Sequence, residues 1–509
     1  MNTLLGIDLG TTALKASLFH EDGSLVASEG RSYPVLSPKP GYAEQDPEEW
    51  WMALVRACGA LRHAHPREFA GIAGIGICGQ MHTHVYLDGA GRLLRPAITW
   101  MDQRSCGLVQ DINCSDETHE LVFRESQNFA TTTYLAPQAL WVKREQEELW
   151  GRVRHILVAK DYLKYRLTGR MVTDVSDASG TLLFNVKERR WSEALFRFFG
   201  FAPSLFPEIL ASDEIVGKIT AEASRITGLS EGTPVANGSS DNSASALGAG
   251  MVTAGQATLI SGTAGVITVC SDRPLADPEH RTLCWNYCLR DAWVTLGIMQ
   301  TAGESLNWFR RAFDGQAEEV ASQRDIFEQY DAMAAEVPEA SGGLLFLPYL
   351  NGERTPYWDP FARGVFFGMS LSTTKACFVR AVMEGVCMGF RQNIETVESL
   401  GITIGEVRAV GGGLRSPVWL SILARIVRKP IVTVSVADTG NLGNILICGK
   451  AIGLYSSIEK EAARMATTET RLHLPDGCPA YEKQYGIYRE LYQKLKGSYR
   501  KCFDDESPA

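Results

Sequence analysis

The stretch "LLGIDLGTTALKASLFH", Leu4 to His20, decides how the rest of the chain is read. Two β-rich runs, Leu4 to Leu9 and Leu14 to His20, flank a Gly-Thr-Thr turn. Glu21-Asp22-Gly23 then turns the chain into a third run, so it opens as a β-meander. Gly10, Thr11 and Thr12 offer exposed amides and hydroxyls to an anion, because glycine lets the backbone approach closely. A plain hairpin with Lys15 on a solvated face accounts for the same residues. A second copy of the plan favours the phosphate loop. "GQATLISGTAGVITVC", Gly255 to Cys270, again runs strand, Gly-Thr turn, alternating strand, with Gly262 and Thr263 where Gly10 and Thr11 stood. The repeat predicts a duplicated fold with a cleft between halves 1–252 and 253–509. Strand-like "GIAGIGICGQ" after helix-like "WWMALVRACGALRHAH" continues an α/β alternation around a central sheet.

Bulk properties fit that frame. A chain of 509 residues exceeds the size at which single cores usually split. The net charge of -9 argues against a general nucleic-acid binder, while leaving room for a phosphate site built from backbone amides. "MNTLLGIDLG" lacks the basic start of a signal peptide, and no apolar run approaches a membrane span. Twelve cysteines show no CxxC pair, and Cys284 and Cys288 lack a second pair at zinc spacing. A cytoplasmic protein with reduced thiols and no membrane partner is expected. The acidic ending "DDESPA" is expected to fray.

Candidate chemistry sits in five stretches. In "GSSDNSASALG", Gly238 to Gly248, Asp241 leads into a helix with no basic residue nearby; it is either an N-cap or a proton acceptor. In "DLGTTALK", Asp8 could hold Mg2+ through water, with Lys15 close to phosphates, although no Walker A loop is present. In "RAVGGGLRSPVW", Gly411, Gly412 and Gly413 would let a base or ribose lie on bare backbone, or simply start a helix. "CGQMHTHVYLD" places His82 and His84 two apart, as a metal pair or, for His82, as a hydrogen-bonding partner of a polyol. "ITWMDQRS" groups Trp100, Asp102 and Arg104, where a surface salt bridge is the bland account.

Taken in order, "GIDLGTTALK", "GQMH", "WMDQR", "GSSDN", "ISGTAGV", "PYLNGERTPYWDPFARGVFFG" and "VGGGLRSPVW" resemble the FGGY carbohydrate kinases across nearly the whole chain, and within them the xylulokinase branch. The resemblance implies two ribonuclease-H-like domains of the actin/hexokinase-type ATPase class around an ATP cleft. It implies Asp241 as general base, Asp8 at Mg2+, and Gly10, Thr11, Thr12, Lys15, Gly262, Thr263, Gly412 and Gly413 around ATP. Met81, His82, Trp100, Asp102, Asp241 and Asn242 would meet the sugar. The implied reaction is ATP-dependent phosphorylation of D-xylulose to D-xylulose 5-phosphate; homodimers are common in the family, while the sequence itself gives no oligomeric state. Another ketose, a polyol or a sugar acid is the alternative substrate. A nucleotide-gated binding protein or sugar-sensing regulator of the same superfamily is the alternative class, disfavoured because the motifs occupy almost the full length. Three departures stand out: Gly-Ser-Ser before Asp241 in place of three glycines, Thr83-His84 after "GQMH", and "VADTGNLGNILICG", which puts Asp438, Asn441 and Asn444 where small or acidic residues are usual.

Overall fold

The architecture comes from a computed structural model that describes residues 2–314, 323–436, 438–474 and 478–502; the "DDESPA" ending lies outside them. Each half carries one seven-stranded mixed sheet. In the first, Thr3–Leu9 runs antiparallel to Ala13–His20 and parallel to Ile72–Gly79, with Leu25–Ser32 at one edge and Pro234–Ala236 and Ile215–Lys218 towards the other. In the second, Gln256–Ser261 runs antiparallel to Gly265–Ser271 and parallel to Glu406–Val410. The two opening hairpins therefore sit in the same topological place, as the repeated Gly-Thr turn predicts. Helix Pro47–Ala64 covers the first sheet and helix Lys375–Glu398 the second, so both sheets are α/β layers.

The register explains where the polar strand ends gather. Asp8 pairs across from Cys78, and the short strand Ser239–Ser240 lies beside Cys78 and Gly79 on the other side. Asp8 and Asp241 thus stand at the carboxyl ends of two parallel strands that flank Ile72–Gly79 on either side, where α/β sheets open their binding crevices.

Helix Thr439–Ala451 belongs to the second half by sequence, yet it packs on Thr3–Leu9 and Ile72–Gly79 of the first sheet and on helix Asp241–Gly248. Glycine makes that approach possible: a Cβ on Gly76 would lie 2.1 Å from the Asn444 carbonyl oxygen, and one on Gly443 2.0 Å from that of Ala244. An apolar cluster including Leu4, Met81, Leu247, Trp285, Leu296, Leu442 and Ile445 continues the core from one half into the other. Among the described residues no helix is long and apolar enough to cross a membrane, and all twelve cysteines are unpaired.

Candidate active site

A cleft of ≈ 370 Å³ between the halves is lined by Asp8, Gly10, Thr11, Met81, His82, Trp100, Asp241 and Asn242 from the first half. From the second come Val266, Trp285, Leu296, Ile298 and Arg354. The first-half residues lie far apart in sequence and meet because strand ends at 9, 79 and 240 are adjacent.

Asp241 is not the helix cap. Helix Asp241–Gly248 is capped by Ser240, whose Oγ accepts from the Ser243 amide at 3.4 Å. Ser240 is in turn held by its own amide, which donates to Ser176 Oγ at 2.9 Å, and Ser176 donates to Asp174 at 2.5 Å. The Gly-Ser-Ser departure thus supplies the cap and a tether. Gly238 must remain glycine: its φ is +75°, and a Cβ there would lie 1.8 Å from the Ile77 carbonyl oxygen. The Asp241 carboxylate accepts the Asn242 amide at 2.7 Å and is also within reach of its own amide. Burial, reinforced by the negative charge of Asp8, pushes its pKa up to about 8. Asn242 reaches across to the second sheet, its Nδ2 donating to Thr268 Oγ1 at 3.2 Å.

Asp8 is raised to about 6, by burial first and the charge of Asp438 second. Among the described residues the Cys78 thiol donates a hydrogen bond to it at 3.4 Å. Such a carboxylate, among other carboxylates and without a hydrogen-bonded cation, suits a divalent ion that brings its own phosphate and water ligands. Among the described residues no cluster of three His, Cys, Asp or Glu side chains forms a protein-only metal cage.

His82 is held at φ +66°, with Nδ1–H donating to the Gly180 carbonyl at 2.6 Å and its ring edge-on to Tyr134 and Trp285. Burial lowers its pKa to about 4, so at neutral pH the ring is uncharged and Nε2 is an acceptor for a hydroxyl. His84 does not form a metal pair with it. Its Nδ1 donates to the His82 carbonyl at 3.0 Å, its Nε2 accepts from Tyr86 at 2.8 Å, and it is fully buried. Trp100 lies over the first turn, donating Nε1–H to Thr11 Oγ1 at 3.0 Å.

Several expected residues stand elsewhere. Asp102 does not face the cleft, and it is no surface salt bridge either. It is fully buried and accepts Arg104 through both oxygens, at 2.8 Å each, along with the amides of Ala43 and Arg104. With its lone pairs engaged, Asp102 anchors the loop and has none left for a sugar. Lys15 points to Asp438 at 3.8 Å and does not line the cleft. Thr12 is exposed beside it. The Gly262-Thr263 turn closes next to Ile260 and Val266 of the cleft wall, its carbonyls accepting the amides of Gly303 and Ala302 at 2.8 and 2.9 Å. Gly411 packs so tightly that a Cβ would lie 2.3 Å from the Ser261 carbonyl oxygen, whereas Gly412 has open space beside it and Gly413 backs onto Trp419. These two loops flank the second-half side of the cleft, because strands Gln256–Ser261 and Glu406–Val410 are paired.

The sequence reading passed over Arg354, Trp285 and Tyr134. Arg354 lay within the quoted "GERTP" loop, and its signal was a charged pair inside a Pro-, Gly- and aromatic-rich segment.

Comparison with known proteins bears on this arrangement. Two family models match, described as the N-terminal domain of the FGGY family of carbohydrate kinases over residues 3–248 and its C-terminal domain over residues 257–452. A xylulose kinase of Bacillus subtilis is 31% identical, covering 97% of this chain and 98% of its own. A gluconokinase of the same species is also 31% identical, covering 98% of each. The solved structure of a ligand-bound xylulose kinase from Lactobacillus acidophilus is 28% identical with a TM-score of 0.91, over 98% of this chain and 100% of that one.

Proposed function

The chain belongs to the FGGY family of carbohydrate kinases, and on that premise we propose that it transfers the γ-phosphoryl group of ATP to the terminal hydroxyl of D-xylulose, giving D-xylulose 5-phosphate and ADP. The observation that carries this reading is that Asp241 and Asp8, at strand ends on either side of Ile72–Gly79, face one cleft with the neutral His82.

Met81 and Trp100 give the sugar an apolar wall, and His82 Nε2 accepts one of its hydroxyls. Asp241 takes the proton of the reacting hydroxyl. That oxygen bonds to the γ-phosphorus as the bond from phosphorus to the bridging oxygen breaks, and ADP leaves with the electron pair. A carboxyl raised to about 8 by burial is a stronger proton acceptor than a solvated one, which suits an alcohol nucleophile. The Gly10-Thr11-Thr12 and Gly262-Thr263 turns would hold phosphate oxygens with backbone amides, and open Gly412 would leave a flat surface for the adenosine. Asp8 would hold Mg2+, which when bound supplies positive charge for the phosphate oxygens. Closing the cleft excludes water from the reacting groups.

The test is ADP release from ATP and Mg2+ with D-xylulose and a panel of other ketoses, polyols and sugar acids, run beside Asp241→Ala. Turnover that needs a sugar and falls about 10²–10⁴-fold in the variant supports the reading. ATP turnover indifferent to every sugar and to the loss of Asp241 overturns it.

A further inference from the structure

Arg354 is a cation in the cleft without an ion-pair contact among the described residues. Among the described residues no carboxylate comes within salt-bridge distance of its guanidinium and no protein group accepts a hydrogen bond from it, and the Trp358 ring lies 5.9 Å away. The adjacent Glu353 acts on it only from beyond ion-pair distance. Its carboxyl accepts the amides of Gln300 and Arg354, at 2.8 Å each, and burial holds it protonated up to about 8. The loop is rigidly pinned. Thr355 donates its hydroxyl to the Arg281 carbonyl at 2.8 Å and its amide to Ile298, while the amides of Tyr357 and Trp358 both bond the Arg354 carbonyl at 2.6 Å. A half-buried guanidinium left unpaired on a fixed loop is costly unless a ligand supplies the acceptor.

Its place in the cleft says which part of the ligand. The charge of Arg354 acts on His82 and Tyr134, which stand with Trp285 at the sugar wall. The charges that act most on Asp8 are Asp438 and Lys15, and on Asp241 they are Asp8 and Asp177. Arg354 therefore faces the end of the substrate away from the reacting hydroxyl.

We propose that Arg354 sets the substrate class, its guanidinium taking a carbonyl or carboxylate oxygen at the far end of an open-chain polyhydroxy substrate. A 2-ketose phosphorylated at its opposite end and an aldonate phosphorylated at its opposite end both fit. A polyol offers only hydroxyls there and is bound less well. This rests on the kinase reading above and sharpens it, since the relatives at 31% identity include both a xylulose kinase and a gluconokinase.

The experiment compares the full chain with Arg354→Met and Arg354→Lys on D-xylulose, D-gluconate and xylitol, reading kcat and KM with ATP and Mg2+, and equilibrium binding of the same three compounds by calorimetry. Expected are a wild-type preference for D-xylulose or D-gluconate over xylitol and, in Arg354→Met, a loss of roughly 10- to 100-fold on the preferred compound, as for a hydrogen bond to a charged group. The loss falls mainly on KM, with xylitol and the KM for ATP little changed and partial recovery in Arg354→Lys. An equal loss on all three compounds, or a raised KM for ATP, would place the phosphate rather than the sugar against Arg354 and overturn the proposal. So would unchanged discrimination in Arg354→Met. Should no compound be phosphorylated by the wild type, the kinase reading fails by itself, and the calorimetric ratio still decides for or against Arg354. A misfolded Arg354→Met leaves the decision to Arg354→Lys, whose wild-type discrimination combined with weaker binding of D-xylulose or D-gluconate supports the proposal, and whose unchanged binding overturns it.

Discussion

Asp241 is costly to the fold and useful to the site. Unfolded, its carboxyl ionises near 3.8; folded, near 8. Between those values the native state holds a proton that the unfolded chain has released, so this residue lowers stability progressively as pH rises from 4 to 8. Asp241→Asn is expected to abolish sugar phosphorylation while raising Tm, with a gain that is large at pH 8 and vanishes towards pH 4. Melting curves across that range check it, and a gain independent of pH would contradict the assignment. The same group should give kcat/KM for the sugar an acid limb far above the ordinary carboxylate range, rising with pH as Asp241 loses its proton. His82, neutral above about 4, should add no inflection between pH 6 and 8, and His82→Ala should raise KM for the sugar more than it lowers kcat.

Helix Thr439–Ala451 joins the two halves through the side chains of Asn441 and Asn444 and its cap Asp438. Asn444 Nδ2 donates to the Ile7 carbonyl at 2.9 Å, and Asn441 Nδ2 to Ser17 Oγ at 3.1 Å. Asp438 caps the helix through the Asn441 amide and accepts Ser17 at 2.8 Å. The helix is thereby tied to the body of the hairpin that carries Gly10 to Thr12. Asn444→Ala should lower unfolding free energy by about 1 kcal/mol, the net worth of such a bond, with the denaturant midpoint falling and the slope unchanged. The loop around Asp102 is held by a stronger device. Arg104→Met would leave a buried carboxylate unpaired and should cost about 3–5 kcal/mol in the same measurement. A loss below 1 kcal/mol would return Asp102 to the candidates for the sugar.

At the scale of the whole molecule the cleft is built from both halves: Met81, His82 and Trp100 on one side, Trp285, Ile298 and Arg354 on the other. A bound sugar touches both, so it should stabilise the protein as a unit. At about 100 times its dissociation constant a ligand adds roughly 2.7 kcal/mol. D-xylulose with MgADP should therefore raise Tm by several degrees, and should do so in Asp241→Ala as well, since that change removes the base and leaves the walls. A sugar that shifts neither protein is not the substrate.

The repeated Gly-Thr hairpin made the duplicated α/β plan and the cleft legible in the sequence, because a turn between two strands is a local property and its recurrence needs no knowledge of packing. Asp8, Thr11 and Asp241 could be singled out for the same reason: each sits at a strand end marked by its neighbours. What the chain order conceals is which polar groups are already satisfied. Lys15 reads as a cleft residue until the fold brings Asp438 to it, and the Asp102–Arg104 pair, already legible as a local contact, is seen to be buried away from the cleft only in the fold. Asp241 reads equally well as a cap until Ser240 is seen to fill that role. The free charge of Arg354 is likewise invisible in "GERTP", since Glu353 beside it looks like its partner and turns out to face the backbone amides. Local pattern determines which residues could act; long-range packing decides which of them are left with an unfilled hydrogen bond or charge, and only those have something to offer a substrate.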